Sequence, residues 1–245
     1  MEKVFGRHPV LEMLKSRNRK IHKIFLKAGS KGLVIDEIVT LAESLHIPVI
    51  FKDNTTLNNL SGYRNHQGVI AFTEPQKYFE LDDLFNVAEI NREPPFFLIL
   101  DRIKDPHNLG AIIRTAEAAG VHGIIIPKFH TTEVNETVVK SSAGAIEYIK
   151  VARVTNIANT IDELKTRKVW VFGVEENEGK NIFEFEPFKE PIALLLGEEG
   201  SGIRRLPKEK CDGFFKIPMF GYINSLNLSV AAAIIMYQIR KFRSI

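Results

Sequence analysis

Five consecutive apolar residues, Phe96-Phe97-Leu98-Ile99-Leu100, constrain this chain more than any other feature. A strand with one wet face alternates apolar and polar residues, so a strand apolar at every position is covered on both faces. Residues 123–126, 169–174, 192–196 and 214–217 read as further apolar strands, and 149–154 as one more. Helical spacing lies between them at 109–119, near 133–141 and 157–165, and at 228–242, with Gly120 ending the first of these helices. This β-α-β-α rhythm implies an α/β fold, a mainly parallel sheet covered by helices.

A smaller α/β unit precedes it. Residues 8–15 read as a short helix with Pro9 in its first turn, 33–45 as a longer helix, and 21–27, 47–51 and 69–72 as strands. The stretch that follows is polar and carries Pro75, Pro94 and Pro95, with room for a short helix at 81–88. We divide the chain into a first domain over 1–75, a linker over 76–95 and a second domain over 96–245.

Composition narrows the function classes. With 44% hydrophobic and 26% charged residues the chain is balanced like an ordinary soluble protein. No apolar run approaches the roughly 20 residues that span a bilayer, and the first ten residues carry no signal-peptide core, so the expectation is a cytoplasmic protein without membrane contact. The single cysteine, Cys211, excludes an internal disulfide and a cysteine-clustered zinc site, and no metal is expected. Net charge is only +3, but its distribution is uneven. Between Glu12 and Asp36 stand Lys15, Arg17, Arg19, Lys20, Lys23, Lys27 and Lys31 with no acidic residue. Such a run is either a solvated basic face or a surface that attracts phosphate.

Ligands of parallel sheets bind at the carboxyl ends of the strands, which directs attention to three loops. The first is Asp101-Arg102-Ile103-Lys104-Asp105-Pro106-His107-Asn108-Leu109-Gly110, leading into a helix that contains Arg114. Asn108 suits a helix N-cap. Arg114 lies six residues on, about 240° around a helix, so the two share a site only if Asn108 stands off the helix in the loop. Arg114 sits among Ile112, Ile113, Ala116, Ala118 and Ala119, where a charge needs a partner, structural or functional. The second loop is Gly197-Glu198-Glu199-Gly200-Ser201-Gly202. It is either a plain turn or a close backbone approach to a ligand, and its two carboxylates suit a cationic or hydroxyl-rich ligand better than a diphosphate. The third runs from Lys216 to Ser229, where Asn224, Ser225, Asn227 and Ser229 crowd the entry to the helix at 228–242. Capping by Ser225 or Asn227 explains one of the four. That helix carries Val230-Ala231-Ala232-Ala233-Ile234-Ile235-Met236-Tyr237 with no polar face, so burial all round is expected, in a core or a subunit interface.

Together the three loops resemble the SPOUT class of methyltransferases in its SpoU branch, the RNA ribose 2′-O-methyltransferases. The likeness covers residues 96–243 and rests on Asn108 with Arg114, on Gly197-Glu198-Glu199-Gly200, and on Ile217-Pro218-Met219 with Asn224-Ser225-Leu226-Asn227-Leu228-Ser229. Phe5-Gly6-Arg7-His8-Pro9-Val10 and Asn65-His66-Gln67-Gly68-Val69 resemble the L30e-like (ribosomal-L30-like) substrate-binding domain of the bacterial 23S rRNA guanosine methyltransferases of this branch. The resemblance implies a deep trefoil knot in the C-terminal domain, and S-adenosylmethionine bent among the knot loops beside Gly197, Ile217, Met219, Leu226 and Leu228. It implies a homodimer through the last helix. Arg114 would act on the ribose 2′-hydroxyl, with Asn108, Glu199, Ser225 and Asn227 orienting it, the ribose and the cofactor.

The sulfonium methyl is already electrophilic, and the difficult partner is the hydroxyl, for which general-base help is usually worth 10²–10⁴-fold. Arginine acts as a base only where its surroundings destabilise the cation. Its alternative role is electrostatic, clamping a phosphate or the developing alkoxide. A covalent role for Ser225 is poor, with no histidine or aspartate pattern beside it. RNA is the expected partner, 23S rRNA in particular, gripped through Arg7, Arg17, Arg19, Lys20 and Lys23. The competing readings are the same chemistry on tRNA or on an antibiotic-protective rRNA site, a non-catalytic RNA-binding protein, and a nicotinamide oxidoreductase, against which the missing dinucleotide fingerprint argues.

Overall fold

The computed structural model describes residues 1–186 and 188–243. From the N-terminus the chain forms β1 (Glu2–Phe5), α1 (Arg7–Ser16), β2 (Ile21–Lys27), α2 (Leu33–Ser44), β3 (Val49–Lys52), α3 (Asn54–Ser61) and β4 (Val69–Thr73). It continues through α4 (Leu81–Asn91), β5 (Phe96–Leu100), α5 (Pro106–Ala118), β6 (Gly123–Pro127), α6 (Glu136–Ser141), β7 (Val151–Val154), α7 (Ile157–Thr166) and β8 (Trp170–Val174). It ends with β9 (Lys180–Asn181), β10 (Ile192–Leu196), α8 (Arg205–Glu209), β11 (Gly213–Lys216) and α9 (Leu228–Lys241). Two compact units result, Met1–Lys77 with Val134–Tyr148, and Tyr78–Glu133 with Ile149–Ile245.

The first unit holds a four-stranded sheet in the order β1-β4-β2-β3, antiparallel except for the β2–β3 pair. Its core includes Phe5, Phe25, Leu57 and Ile70. Sequence reading passed over β1 and α3. β1 is only four residues long and half-buried at its start. Apart from its leucines, α3 is built from weak helix formers, Asn54, Thr55, Thr56, Asn58 and Asn59, and exists because Asp53 caps it and Leu57 is buried. The unit also recruits α6 from far along the chain, against β1. Arg19 explains part of this recruitment. It is buried, with its guanidinium 3.3 Å from Glu147 and 3.2 Å from Glu2. Asn18 Nδ2 donates to the Glu147 carbonyl at 2.7 Å. Burial raises the Glu147 carboxyl above its ordinary range, against the pull of Arg19.

The second unit holds a seven-stranded sheet in the order β7-β6-β5-β10-β8-β11-β9, with every paired neighbour parallel. All five residues of β5 and all five of β10 are buried, as two covered faces require. Each such Leu, Ile or Phe contributes about 1.5–3 kcal/mol over its exposed state. Phe97, Ile99, Ala193 and Leu195 face one core, with Ile157, Ile161 and Leu164 of α7. Leu81 and Leu84 of α4 join that core. The stretch read as a linker therefore carries a helix that belongs to the second unit, because its apolar stripe has a place to be buried.

Within the single chain α9 is buried on one face. Ala232, Ile235, Met236 and Ile239 are buried, and α5 packs against the helix, while Val230 and Tyr237 are exposed. Among the described residues no helix is long and apolar enough to cross a membrane, and no group of three or more His, Cys, Asp or Glu is placed to hold a metal.

Candidate active site

The loops that follow β8, β10 and β11 converge on one cavity of about 630 Å³ in the second unit. Gly197 and Glu199 line it from the second motif loop, and Ile217, Met219, Ser225, Leu226 and Leu228 from the third and the start of α9. The Gly-rich loop closes on itself, Glu198 N donating to Gly202 O at 3.1 Å and Gly202 N to Glu198 O at 2.8 Å. That closure dictates glycine at 197, since a Cβ there would sit 2.1 Å from the Gly202 carbonyl carbon. Two side chains fix the loop from below. Arg204 reaches the end of β5 and donates twice to Asp101, Nε and Nη2 each at 2.7 Å. The Asp101 carboxylate in turn raises the pKa of Arg204, and its backbone N–H donates to Leu196 O at 2.8 Å.

A hydrogen-bonded chain links three distant segments beside the cavity. Asn227 Nδ2 donates to Asn108 Oδ1 at 3.0 Å, and Asn108 Nδ2 donates to Glu199 Oε2 at 3.0 Å. Each amide carries one donor and one acceptor function at opposite ends, so the relay has a fixed direction ending on a carboxylate. Asn227 also caps α9, its Oδ1 accepting from Ser229 N at 2.9 Å, as the crowded loop led us to expect. Asn108 is not the cap of α5. Asp105 takes that role with Pro106 behind it, leaving Asn108 in the first helical turn with its side chain buried and engaged in the relay.

Arg114 is not brought to this cavity. It lies on the exposed face of α5, opposite the buried Asn108, Ile112 and Ala116, as a 240° separation on a straight helix requires. Of the apolar neighbours read around it, Ile112, Ile113, Ala116 and Ala119 are buried, while Ala118 shares its exposed face. The structure also adds groups the sequence reading missed. Glu175, Glu176, Asn177 and Glu178, directly after β8, line the cavity. The rule that sends attention to strand carboxyl ends pointed there, but the segment has no glycine or motif to mark it.

The cavity is acidic. Glu175, Glu176, Glu178, Glu198 and Glu199 face it with one lysine, Lys208, which pairs with Glu178 at 2.9 Å and lies 3.6 Å from Glu175. Lys104 and a bond from Ser201 hold Glu198 below the usual carboxylate range. Excess carboxylate favours a cationic ligand. Ile217, Leu226 and Leu228 offer apolar surface, and the bare Gly197 backbone allows close approach. A ligand with a positive centre and an aromatic ring meets both demands, which S-adenosylmethionine does. Cys211 lies outside the cavity, and burial pushes its thiol up to about 12, as befits a spectator.

In the first unit the basic run does not form one face. Arg17 and Lys20 are exposed, Lys23 lies over the rings of Phe25 and Phe72 at 5.2 and 4.9 Å, and Arg19 is the buried partner of Glu147. Arg19 is largely buried by that pairing, and it lines one concavity with Arg17 and Lys20. Arg7 lies elsewhere, beside Lys27 and Lys31 around a second concavity.

Residues 95–237 match the family described as SpoU rRNA Methylase, and residues 3–79 the domain described as RNA 2′-O ribose methyltransferase substrate binding. A Bacillus subtilis protein named for the TrmH family of tRNA/rRNA methyltransferases is 44% identical over 241 residues, 98% of this chain and 96% of its own. A similarly named Staphylococcus haemolyticus protein is 40% identical over 240 residues, 98% and 95% of the two chains. The crystal structure of the SpoU methyltransferase AviRb of Streptomyces viridochromogenes, in complex with the cofactor AdoMet, superposes with a TM-score of 0.81 at 26% identity, over 99% of this chain and 90% of that one. An rRNA methyltransferase from Sinorhizobium meliloti superposes with a TM-score of 0.79 at 25% identity, over 98% and 86%.

Proposed function

Because the chain belongs to the SpoU/TrmH family of S-adenosylmethionine-dependent RNA methyltransferases, we propose that it methylates a ribose 2′-hydroxyl, that of a guanosine in 23S rRNA. The observation that carries the reading is the relay Asn227–Asn108–Glu199 beside an acid-lined cavity. Bound there, S-adenosylmethionine supplies an electrophilic methyl. The five carboxylates would favour its sulfonium, and Ile217, Leu226 and Leu228 its adenine. Glu199, oriented by Asn108, would accept a hydrogen bond from the ribose, and Ser225 would hold the sugar from the opposite loop. Holding methyl and oxygen in line supplies much of the rate in such transfers.

Arg114 enters as an electrostatic group. Its cation would clamp the developing alkoxide or a neighbouring phosphate. Placed outside the cavity of its own chain, it reaches the reacting oxygen in a homodimer, from the second copy. The apolar surface left open on α9 by Val230 and Tyr237, with Phe220 and Tyr222 nearby in sequence almost fully exposed, supports a dimer through this helix. We further propose that the loops converging after β8, β10 and β11 thread as a trefoil knot, and that the protein works in the cytoplasm.

The match of the N-terminal residues to an RNA substrate-binding domain supports a large folded RNA as substrate. The naming of the relatives for both tRNA and rRNA keeps tRNA as the second reading. Tritiated methyl transfer to rRNA fragments and to tRNA, followed by nucleoside analysis, decides. The expected product is 2′-O-methylguanosine in 23S rRNA. Base methylation, or label confined to tRNA, would overturn the respective part of the proposal.

A further inference from the structure

A second concavity, of about 890 Å³, lies wholly in the first unit, and among the described residues no carboxylate lines it. Arg7, Lys27, Lys31 and Arg64 surround it. Arg64 pairs with Glu136, whereas Lys27 and Lys31 make no ion pair among the described residues. Tyr63 stands at the rim, 78% exposed.

Four side-chain amides line the same hollow, and three of them, Asn58, Asn65 and Gln67, spend their oxygens inside the protein. Gln67 Oε1 accepts from Arg7 N at 3.1 Å. Asn65 Oδ1 accepts from Gln67 N at 3.3 Å. For Asn58 the argument runs through His66. Gly68 N donates to His66 Nδ1 at 3.0 Å, so that nitrogen is bare and the ring proton sits on Nε2. Nε2 therefore donates to Asn58 Oδ1, 3.0 Å away. Burial and the neighbouring Lys27 lower the His66 pKa, in keeping with the neutral ring. Asn58, Asn65 and Gln67 are each left with an NH₂ group that has no partner among the described residues.

Asn58 sits in α3, and the loop that carries Tyr63, Asn65 and Gln67 is held in an uncommon shape. Tyr63 and Gln67 have φ of 60° and 51°, a region non-glycine residues seldom adopt. Tyr63 N donates to Asn58 O at 2.8 Å, and Lys140 Nζ to Asn65 O at 2.9 Å. Residues kept in such backbone states by their surroundings cluster at binding sites.

Hydrogen-bond donors, unpaired cations and the exposed rings of Tyr63 and His8, with no acceptor carboxylate among the described residues, suit a ligand made of acceptors and flat faces. We infer that this hollow seats an unpaired stretch of the substrate RNA. One base stacks on Tyr63, its carbonyl edge meets the NH₂ groups of Asn58, Asn65 and Gln67, and flanking phosphates lie on Arg7, Lys27 and Lys31. A duplex cannot use the site, because its bases stack on each other and hide these edges. The inference rests on the RNA reading of the protein and names the part of the RNA that the first unit holds.

The test is fluorescence anisotropy of the full-length protein with a labelled single-stranded RNA decamer and with a hairpin whose stem carries the same sequence. Tyr63→Leu is expected to weaken decamer binding tenfold or more, and Tyr63→Phe to hold it within about twofold, since a stacked base is worth about that much. Asn65→Asp keeps the bond from Gln67 N and turns the free donor into an acceptor, so it should weaken binding as Tyr63→Leu does. Lys27→Ala with Lys31→Ala should lower the slope of log K against log salt by about 1.4, at about 0.7 per single-strand phosphate. In methyl transfer, Tyr63→Leu should raise KM for RNA while affinity for S-adenosylmethionine holds. Wild-type affinity and salt slope in these variants, or tighter binding of the hairpin, overturns the inference. If wild-type protein transfers methyl to RNA with a KM that Tyr63→Leu does not change, only the hollow is misassigned. If it neither binds RNA nor transfers methyl, the functional reading falls with it.

Discussion

Replacing Asn108 by Asp changes one atom and reverses one hydrogen bond. The Nδ2 that donates to Glu199 at 3.0 Å becomes a carboxylate oxygen facing another. Two unit charges 3.0 Å apart at an effective dielectric of 20 repel by about 5.5 kcal/mol. Glu199 is exposed, so water screens roughly half of this, leaving about 2–3 kcal/mol. The lost charge-assisted bond adds about 1.5 kcal/mol, for a total near 4 kcal/mol. Asn108→Ala removes the same bonds without the repulsion and should cost less, about 1–2 kcal/mol. Trp170, the only tryptophan, sits in β8 of this unit and reports its unfolding in urea. At pH 8 the expected order of stability is wild type, Asn108→Ala, Asn108→Asp. The new pair shares a proton, so one carboxyl has a folded pKa above its unfolded value. The deficit is therefore full above that folded pKa and shrinks as pH falls through it, so Asn108→Asp should gain on Asn108→Ala toward pH 5. An Asn108→Asp protein within about 0.5 kcal/mol of wild type at pH 8, the range of an uninvolved surface change, would refute the relay.

Gly197→Ala should lose S-adenosylmethionine binding in calorimetry, because the new methyl meets the Gly202 backbone and must open the loop; retained affinity would show that the loop is not a binding element. Arg19→Met leaves Glu147 buried without its cation and should cost about 3–5 kcal/mol in the first unit, with Arg19→Met combined with Glu147→Leu recovering most of it in thermal unfolding. His122 accepts from Phe96 N at 3.0 Å and burial lowers its pKa to about 4. Between pH 6.5 and 4 the unfolded chain thus takes a proton that the folded one refuses, stability falls as pH drops through that window by up to about 3 kcal/mol, and His122→Asn should flatten the slope. Arg114→Ala should abolish methyl transfer and leave cofactor binding intact, and mixing it with Gly197→Ala should restore transfer if the arginine serves the second copy.

What could be read beforehand follows from how locally each feature is determined. β5 and β10 were legible to the residue, because burial on both faces leaves no polar position to blur the ends. The cap of α9 was legible as Ser225 or Asn227, because capping needs only the next few residues, and the structure selects Asn227. α3 was not, since its stability comes from Leu57 in a core that the local sequence does not display. The acidic wall at Glu175–Glu178 escaped for a similar reason, as carboxylates after a strand look like any solvated turn until two other loops face them. Arg114 illustrates the reverse case. Helix geometry placed it away from Asn108, and the structure obeys that geometry.

The recruitment of α6 into the first unit has a practical edge. The chain passes between the units three times, after Lys77, after Glu133 and after Tyr148. A fragment cut after Lys77 would take Arg19 away with no Glu147 to meet it, and the remainder would carry an orphaned helix between two of its strands. A fragment meant to isolate the first unit therefore has to carry residues 134–148 with it.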